Sequence, residues 1–292
     1  MGDHNSECIV KNMENMLSKD PNMSPAVASL RVLLEFMEKD SSKTINGLTE
    51  ELKSVVRVMV AAKHSVICVR SACELFLRFV TLISLDGDFD DCKKLMSTRG
   101  RTYLEKVDAA RPKIARLVVP FILDRSTLLT HSTSRVVRDT LLEAAKRSKH
   151  FHVYVTESAP DHSGKKLYDV LEKNGISCTL IVDAAVGYVM EKVDVVLVGA
   201  EGIVESGGAI NKIGTYTLAM CAKEKNKPLY VLAESFKFVR MYPLNQRDLA
   251  DDLYSSEVNT NNTTPMVDYT PPEYVTLLFT DLGILTPSAV SD

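Results

Sequence analysis

The run GAEGIVESGGAINKIGTY, residues 199–216, is the segment of the sequence with the clearest capacity for chemistry. Its glycines permit tight turns and a close approach of the backbone to a ligand. Asn211 and Lys212 stand just before a predicted helix that begins near Gly214, and helix N-terminal amides together with a lysine favour an anion such as a phosphate. The run matches neither the P-loop nor the GxGxxG dinucleotide pattern. The residues by themselves therefore leave two alternatives, an anion site and a glycine-rich turn that only connects two elements.

Other polar side chains stand directly after predicted strands, where an open parallel sheet binds its ligands. They are His131, Ser132, Thr133, Ser134 and Arg135 after the first strand, Glu157 and Ser158 after the second, Asp183 after the third, and Glu234 and Ser235 after the fifth. Ser132, His131 and Asp183 have the residue types of a hydrolytic triad, but the sequence contains no GxSxG nucleophile elbow. The histidines lack metal-ligand spacing and the cysteines form no CxxC pair, so we expect neither a metal nor another cofactor.

The first part of the chain, residues 1–123, has the pattern of successive helices. Apolar residues recur at helical spacing in stripes wide enough to bury one face of a helix. The stripes are Val27–Met37, Ile45–Met59, Cys73–Ile83, Cys92–Val107 and Ile114–Phe121, the last entered at Pro112. Ser24 and Pro25 have the types of an N-cap and a first helical residue. The pattern predicts a helical bundle, and Arg70, on or before the third helix, by itself indicates an ordinary surface arginine.

The second part, residues 124–292, alternates strands with helices. Apolar, β-branched and aromatic runs predict strands at 128–130, 151–156, 178–182, 195–198 and 229–233, with helices at 136–144, 163–174, 184–192 and 215–225. Residues 245–268 are polar and predict a surface loop, and 270–282 predict a last helix. Apolar strands separated by helices favour a parallel sheet covered on both faces. The predicted fold class is therefore α/β, an N-terminal helical bundle followed by a Rossmann-like domain.

Composition and charge narrow the class of protein. The chain has 292 residues, 45% hydrophobic and 25% charged, which is typical of a globular protein and excludes a disordered or collagen-like one. The net charge of −3 and the pI near 6.1 argue against direct binding of nucleic acid. The sequence has no apolar stretch of membrane-spanning length and no signal-peptide pattern at its start. We therefore expect no membrane partner and a location in the cytosol, with reduced cysteines.

Several segments resemble one family of translation factors. The similarity is to the alpha, beta and delta subunits of eukaryotic translation initiation factor 2B, and above all to the alpha subunits. The segments are VGAEGIVESGGAINKIGTY, YVTESAP, LIVDAAVGYVMEK, AESFKFVRMYPLNQRDL and TDLGILTPSAVS, with ELFLRF and RGRTYLEKVDAARPKIA in the helical part. The resemblance extends over nearly the whole chain. It implies a non-catalytic regulatory subunit of the guanine nucleotide exchange factor for initiation factor 2.

The resemblance also implies partners. Two copies would pair through their Rossmann-like domains, and the homodimer would bridge two sets of beta, gamma, delta and epsilon subunits into a decamer. The helical domain would help to sense the phosphorylated alpha subunit of initiation factor 2. The exchange chemistry would belong to the epsilon subunit, so this chain would bind no GTP. The resemblance further implies a short helix after PSAVSD, whose absence would loosen the dimer or mark a truncated chain.

An isomerase is the alternative function, because the same superfamily includes methylthioribose-1-phosphate isomerase and ribose-1,5-bisphosphate isomerase. The resemblance places Ser132 and Glu201 where these enzymes use a cysteine and an aspartate. A serine hydroxyl is a poorer proton shuttle than a thiol, and the longer glutamate displaces its carboxylate. Arg70, Asn211 and Lys212 match positions that hold the substrate. We therefore expect no aldose–ketose isomerase activity on a phosphorylated ribose derivative, but a retained pocket for a sugar phosphate.

Overall fold

The structure is a computed structural model that describes residues 3–20, 22–62, 66–82, 88–249 and 265–291. The chain forms two compact units, Met1–Ala109 and Ala110–Asp292. The sequence pattern places the boundary at residue 123, but the units divide within the helix Phe89–Val118. The reason is that Ile114 and Val118, near the end of this helix, are buried in the core of the second unit.

The described part of the first unit is helical. Helices α1 to α5 are Asp3–Lys19, Pro25–Lys39, Ile45–Ala61, Val66–Thr81 and Phe89–Val118. Helix α2 begins as predicted, because the Ser24 hydroxyl accepts the backbone N–H of Val27 at 3.2 Å. Most described residues of the predicted stripes are buried, although Leu95 and Phe121 are exposed, and the fully buried side chains include Leu30, Leu33, Met37, Leu48, Leu52, Met59, Phe76 and Met96. Ile83, at the end of the third predicted stripe, lies outside the described residues.

One prediction for the helical part is wrong. The sequence predicts two helices after Cys92, the second entered at Pro112, whereas the structure has the single helix α5 with Pro112 inside it. The buried stripe continues across the proline, with Ala110 on one side and Ile114 on the other. The apolar contacts on this face offset the one backbone hydrogen bond that a proline removes. Among the described residues, no helix is long and apolar enough to cross a membrane.

The second unit is built on strands that alternate with helices. Strands β1 to β11 are Thr127–His131, His152–Thr156, Ser177–Ile181, Val195–Gly199, Gly202–Val204, Ala209–Lys212, Leu229–Leu232, Phe238–Val239, Val267–Thr270, Leu277–Phe279 and Ile284–Leu285. Helices α6 to α9 are Arg135–Lys146, Gly164–Lys173, Val186–Val189 and Thr215–Glu224. One sheet has the order β11-β10-β7-β4-β1-β2-β3, and all its neighbours are parallel except β10 and β11. The prediction of a Rossmann-like parallel sheet is confirmed.

Both faces of the sheet are covered, as the apolar strands predict. On the central strand β4, Val195 and Leu197 lie in a buried cluster with side chains of α6 and α7. Val196 and Val198 lie in a second cluster, which contains side chains of α8 and α9. Successive residues of a strand point to opposite faces, so a strand buried on both sides must be apolar throughout.

The glycine-rich run forms strands that the sequence analysis missed. Strands β5 and β6 pair antiparallel within residues 199–216, and they belong to a second sheet with the order β8-β5-β6-β9. The run is therefore more than a turn that only connects two elements. Its three- and four-residue strands are too short for a periodicity signal, and pairing with β8 and β9, from distant parts of the sequence, completes the sheet.

The prediction of a last helix at residues 270–282 is also wrong. The segment contains the end of β9, a 3₁₀ turn at Pro272–Tyr274 and strand β10. Leu278 and Phe279 are buried, and β10 pairs with β7 in parallel register. Short apolar runs suit a buried helix or a buried strand equally, and here the open edge of β7 decides. The predicted loop 245–268 contains a 3₁₀ turn at Gln246–Asp248 and the start of β9, and residues 250–264 lie outside the described part.

Candidate functional site

Four of the five residues predicted to line a site lie in the second unit, at strand ends. Ser132 directly follows β1, Glu201 lies between β4 and β5, and Asn211 and Lys212 end β6. Arg70 lies on α4 of the first unit, where its side chain is exposed. The candidate site is therefore described from the second unit alone.

Ser132 has a strained backbone and a buried hydroxyl. Its φ angle is +60°, in the left-handed region that a serine rarely adopts, and the residue is 5% exposed. The Oγ atom lies 2.6 Å from Oγ of Ser163, the residue before α7. The backbone N–H of Ser132 donates to Oγ1 of Thr156 at 3.4 Å. Strain of this kind concentrates at binding and active sites, which supports a ligand site at the end of β1.

His131 does not serve Ser132 as a base. Its Nε2 lies 2.7 Å from the carbonyl oxygen of Ile213, which can only accept, so Nε2 carries the proton. Nδ1 therefore accepts from the Thr156 hydroxyl, 2.6 Å away, while Asp183 lies 3.8 Å from Nδ1. Burial lowers the pKa of His131, although the hydrogen bond to Ile213 and the charge of Asp183 act in the opposite direction. A neutral histidine with both nitrogens engaged excludes the triad that the residue types suggested.

Lys212 is paired with an acid of its own chain. Its ammonium contacts the carboxylate of Asp161, and the two side chains are 18% and 28% exposed. Asp161 also accepts the backbone N–H of Ser163 at 3.1 Å. Partial burial would raise the pKa of the Asp161 carboxyl, but Lys212 and Ser163 outweigh it and hold that pKa below its ordinary value. Ser132, Ser163, Asp161 and Lys212 thus form one continuous chain of contacts.

The N-terminus of α9 is already occupied by Asp268. One carboxylate oxygen of Asp268 accepts the backbone N–H groups of Gly214 and Tyr216 at 2.8 and 3.0 Å. Antiparallel pairing of β6 with β9 places Asp268 opposite Asn211 and so directs it to this helix end. Burial raises the pKa of Asp268 to about 7, against the effect of the two amides. The helix amides that the sequence offered to a phosphate therefore have a partner from the chain itself.

Asn211 supports the same turn. Its Nδ2 donates to Oγ1 of Thr215 at 3.1 Å, and that hydroxyl donates to the carbonyl oxygen of Lys212 at 2.7 Å. The Asn211 side chain is 9% exposed. The amide thus holds the β6–α9 turn that carries Lys212.

Among the acids of this site, Glu201 has the environment that best suits a group that transfers protons. It is half-buried, and burial raises the pKa of its carboxyl although Lys212 and Lys237 act to lower it. Its backbone N–H donates to the carbonyl oxygen of Ile210 at 2.9 Å, which fixes it at the start of the β5–β6 hairpin. Among the described residues, no group of three or more His, Cys, Asp or Glu side chains could hold a metal ion.

Sequence reasoning missed Asp161, Ser163, Asp268 and Lys237. The first two follow YVTESAP, so their position after a predicted strand was the available signal. Asp268 lay in a segment predicted to be a loop. Lys237 contacts Glu234 at 2.8 Å and donates to the carbonyl oxygen of Ala200 at 2.8 Å, and no sequence pattern indicates either contact.

Comparison with known proteins finds similarity over almost the whole chain. A model of the initiation factor 2 subunit family matches residues 18–287. Translation initiation factor eIF2B subunit alpha of Dictyostelium discoideum is 44% identical over 303 residues, which cover 97% of this chain and 94% of the relative. The protein of the same name from Caenorhabditis elegans is 41% identical over 295 residues, covering 98% and 97%. Ribose 1,5-bisphosphate isomerase of Archaeoglobus fulgidus is 29% identical over 266 residues, covering 87% and 82%.

Solved structures agree with the observed fold. The crystal structure of the Pyrococcus horikoshii translation initiation factor eIF-2B superimposes with a TM-score of 0.79 at 25% identity, covering 98% of this chain and 99% of that one. A chain of the tetrameric eIF2B beta–delta complex from C. thermophilum has a TM-score of 0.80 at 18% identity, covering 98% and 92%. The second likeness shows the fold alone. Both confirm a helical part followed by a mostly parallel α/β domain.

Proposed function

The chain belongs to the initiation factor 2 subunit family, and from this premise we propose that it is a non-catalytic regulatory subunit of the guanine nucleotide exchange factor for translation initiation factor 2. Two relatives named as eIF2B alpha subunits match it along almost their entire length, and this similarity supports a role in translation initiation.

The engagement of His131 and Ser132 carries the non-catalytic part of the proposal. Both nitrogens of His131 have other partners, and the Ser132 hydroxyl contacts the Ser163 hydroxyl instead of a base. A serine without an adjacent base remains protonated and is a weak nucleophile and proton shuttle. The position where the related isomerases use a thiol is therefore inactive in this proposal.

Partners follow from the family. In the proposed assembly, two copies pair through their second units, and the homodimer joins two sets of beta, gamma, delta and epsilon subunits in the cytosol. The first unit contributes to the detection of initiation factor 2 whose alpha subunit is phosphorylated. The name "subunit" in the matched relatives supports assembly with other chains.

The proposed pocket binds a sugar phosphate without converting it. Lys212 supplies the charge for the phosphate, and the Ser132 hydroxyl and the Glu201 carboxyl can hydrogen-bond to sugar hydroxyls. Asn211 positions Lys212 through the turn described above. Arg70, on helix α4 of the first unit, stays a prediction that rests on the resemblance to the isomerases.

Affinity capture tests the regulatory role. The tagged chain is expressed in the source organism, captured from a cytosolic extract at physiological salt, and its partners are identified by mass spectrometry. We expect the beta, gamma, delta and epsilon subunits at levels far above a tag-only control. Capture of the chain without these subunits contradicts the proposal. Sugar-phosphate binding in that situation would instead indicate a free-standing metabolite sensor.

An isomerase is the second candidate, and Glu201 is the observation that favours it. A half-buried acid with a raised pKa beside Lys212 suits proton transfer at a sugar carbon. The test incubates the purified chain with ribose 1,5-bisphosphate and with methylthioribose 1-phosphate. We expect no turnover. Turnover that is lost in Glu201→Gln but kept in Glu205→Gln, a matched change on the same hairpin, would replace the non-catalytic proposal.

A further inference from the structure

The two groups best suited to bind an anion at this site are both filled by carboxylates of the chain. Asp161 contacts the ammonium of Lys212, and Asp268 accepts the first-turn amides of α9. A ligand phosphate therefore does not meet a vacant cation. It must compete with an acid that is tethered to the protein.

The two acids differ in how firmly they are held. Asp268 is 5% exposed and lies within strand β9, which is paired with β6. Asp161 lies in the short segment between β2 and α7, where residues 159–162 are all exposed. Its carboxylate is held by Lys212 and by the N–H of Ser163. Asp161 can therefore leave without dismantling a strand, whereas Asp268 cannot.

We propose that Asp161 is a specificity-determining residue of the pocket, whose carboxylate occupies the place of the ligand's phosphate on Lys212 and must be displaced before the ligand binds. This inference rests on the proposed sugar-phosphate pocket. The incoming phosphate takes over both partners of Asp161, the Lys212 ammonium and the Ser163 N–H. Ser163 also contacts the Ser132 hydroxyl, so the exchange takes place beside Ser132, whose backbone is strained.

Competition of this kind selects by charge. A phosphate monoester carries close to two negative charges near neutral pH and offers three acceptor oxygens, whereas the Asp161 carboxylate carries one charge and two oxygens. A phosphorylated sugar can therefore outcompete Asp161 for Lys212. A sugar acid, with a single carboxylate of its own, gains nothing by the exchange. The pocket is thus selective for phosphorylated sugars over sugar acids of the same length.

Asp161→Asn isolates the competing charge. The asparagine keeps an oxygen that can accept from Ser163 but removes the negative charge that the Lys212 ammonium contacts. We expect ribose 5-phosphate to bind about five- to tenfold more tightly to this variant than to the wild type, which corresponds to loss of one partly buried ion pair. Ribonate should bind measurably to the variant only. Asp169→Asn on α7 is the control, because it makes the same charge change without a described contact to Lys212, and its affinity should equal that of the wild type.

The outcomes separate this inference from the pocket itself. Calorimetry that shows wild-type binding of ribose 5-phosphate but equal or weaker binding to Asp161→Asn overturns the role of Asp161 and leaves the pocket standing. Absence of binding to the wild type and to both variants overturns the pocket and the inference together. The wild type offers a second readout that needs no variant. The ¹³C resonance of the Asp161 carboxyl should move when ribose 5-phosphate is added, and binding without that movement overturns the inference.

Discussion

Gly214 approaches His131 so closely that no side chain fits between them. A Cβ atom on Gly214 would lie 2.8 Å from Cε1 and 3.1 Å from Nε2 of the imidazole. The φ angle of Gly214 is +102°, which favours glycine in any case. This contact lets Nε2 reach the Ile213 carbonyl oxygen, and so ties the end of β1 to the turn before α9.

Gly214→Ala should therefore lower the free energy of unfolding by about 2–4 kcal/mol, from backbone strain and overpacking together. Gly175→Ala is the matched control. Gly175 has a φ of +71°, but within the described part of the chain nothing lies within 4 Å of its added Cβ. That variant should lose only about 1 kcal/mol. Urea unfolding of both variants measures the difference, and equal losses would mean that the contact with His131 adds no constraint.

Asp268 should make stability fall as the pH rises. Burial raises the pKa of its carboxyl to about 7, from 3.8 without the protein environment. The folded protein binds this proton more tightly, so the stabilisation is complete below about pH 4 and is lost as the pH rises through 7. Asp268→Asn removes the titration. Relative to this variant, the wild type should lose about 1–3 kcal/mol between pH 5 and pH 8 in urea unfolding. A difference that does not change with pH would contradict the raised pKa.

The titration of His131 should make stability fall as the pH falls, which is opposite to the effect of Asp268. Burial lowers its pKa below 6.5, so the folded state favours the neutral ring. The stability that depends on this neutral form is present above pH 6.5 and is lost as the pH falls through the lowered pKa. Relative to His131→Gln, the wild type should therefore lose stability between pH 7 and pH 5. Urea unfolding of both proteins at pH 7 and pH 5 measures the change, and an equal difference at the two pH values would contradict the lowered pKa of His131.

The buried ion pair of Glu234 and Lys237 should be costly to break. The side chains are 5% and 15% exposed, and their charged atoms lie 2.8 Å apart. Burial would raise the pKa of Glu234, but Lys237 and Arg111 hold that pKa below its ordinary value. Glu234→Gln removes the carboxylate charge that this largely buried ammonium contacts, and it should lower the free energy of unfolding by about 3–5 kcal/mol.

Glu191→Gln provides the comparison for this pair. Glu191 contacts Lys225 at 2.9 Å, but its side chain is 71% exposed and solvent screens the pair. Its loss should barely change the midpoint of urea unfolding. If Glu234→Gln and Glu191→Gln lower the free energy of unfolding equally, burial does not make the Glu234–Lys237 pair more stabilising than the exposed one.

Local patterns were reliable where a single element decides its own structure. The types of Ser24 and Pro25 predict the start of α2, and the structure confirms it. Five runs rich in apolar, β-branched and aromatic residues predict β1, β2, β3, β4 and β7, and the central strand β4 is buried at every position. The errors fall on segments whose structure depends on a distant partner. Residues 277–279 become a strand because they complete the edge of β7, and Pro112 is kept inside α5 by the core against which that helix packs.

The sequence by itself indicated the family, through motifs that resemble it, and also the α/β class and a polar site after the predicted strands and in the glycine-rich run, because these features depend on short motifs and on periodicity within single elements. Only the tertiary structure decided which residues of the chain occupy that site. It brings Asp161 to Lys212 from the segment after β2, and Asp268 to the N-terminus of α9 through the pairing of β6 with β9. Contacts between residues so far apart in sequence leave no local pattern, since they arise only when separate strands come together. They change a lysine and a free helix end into two anion sites that the chain already fills.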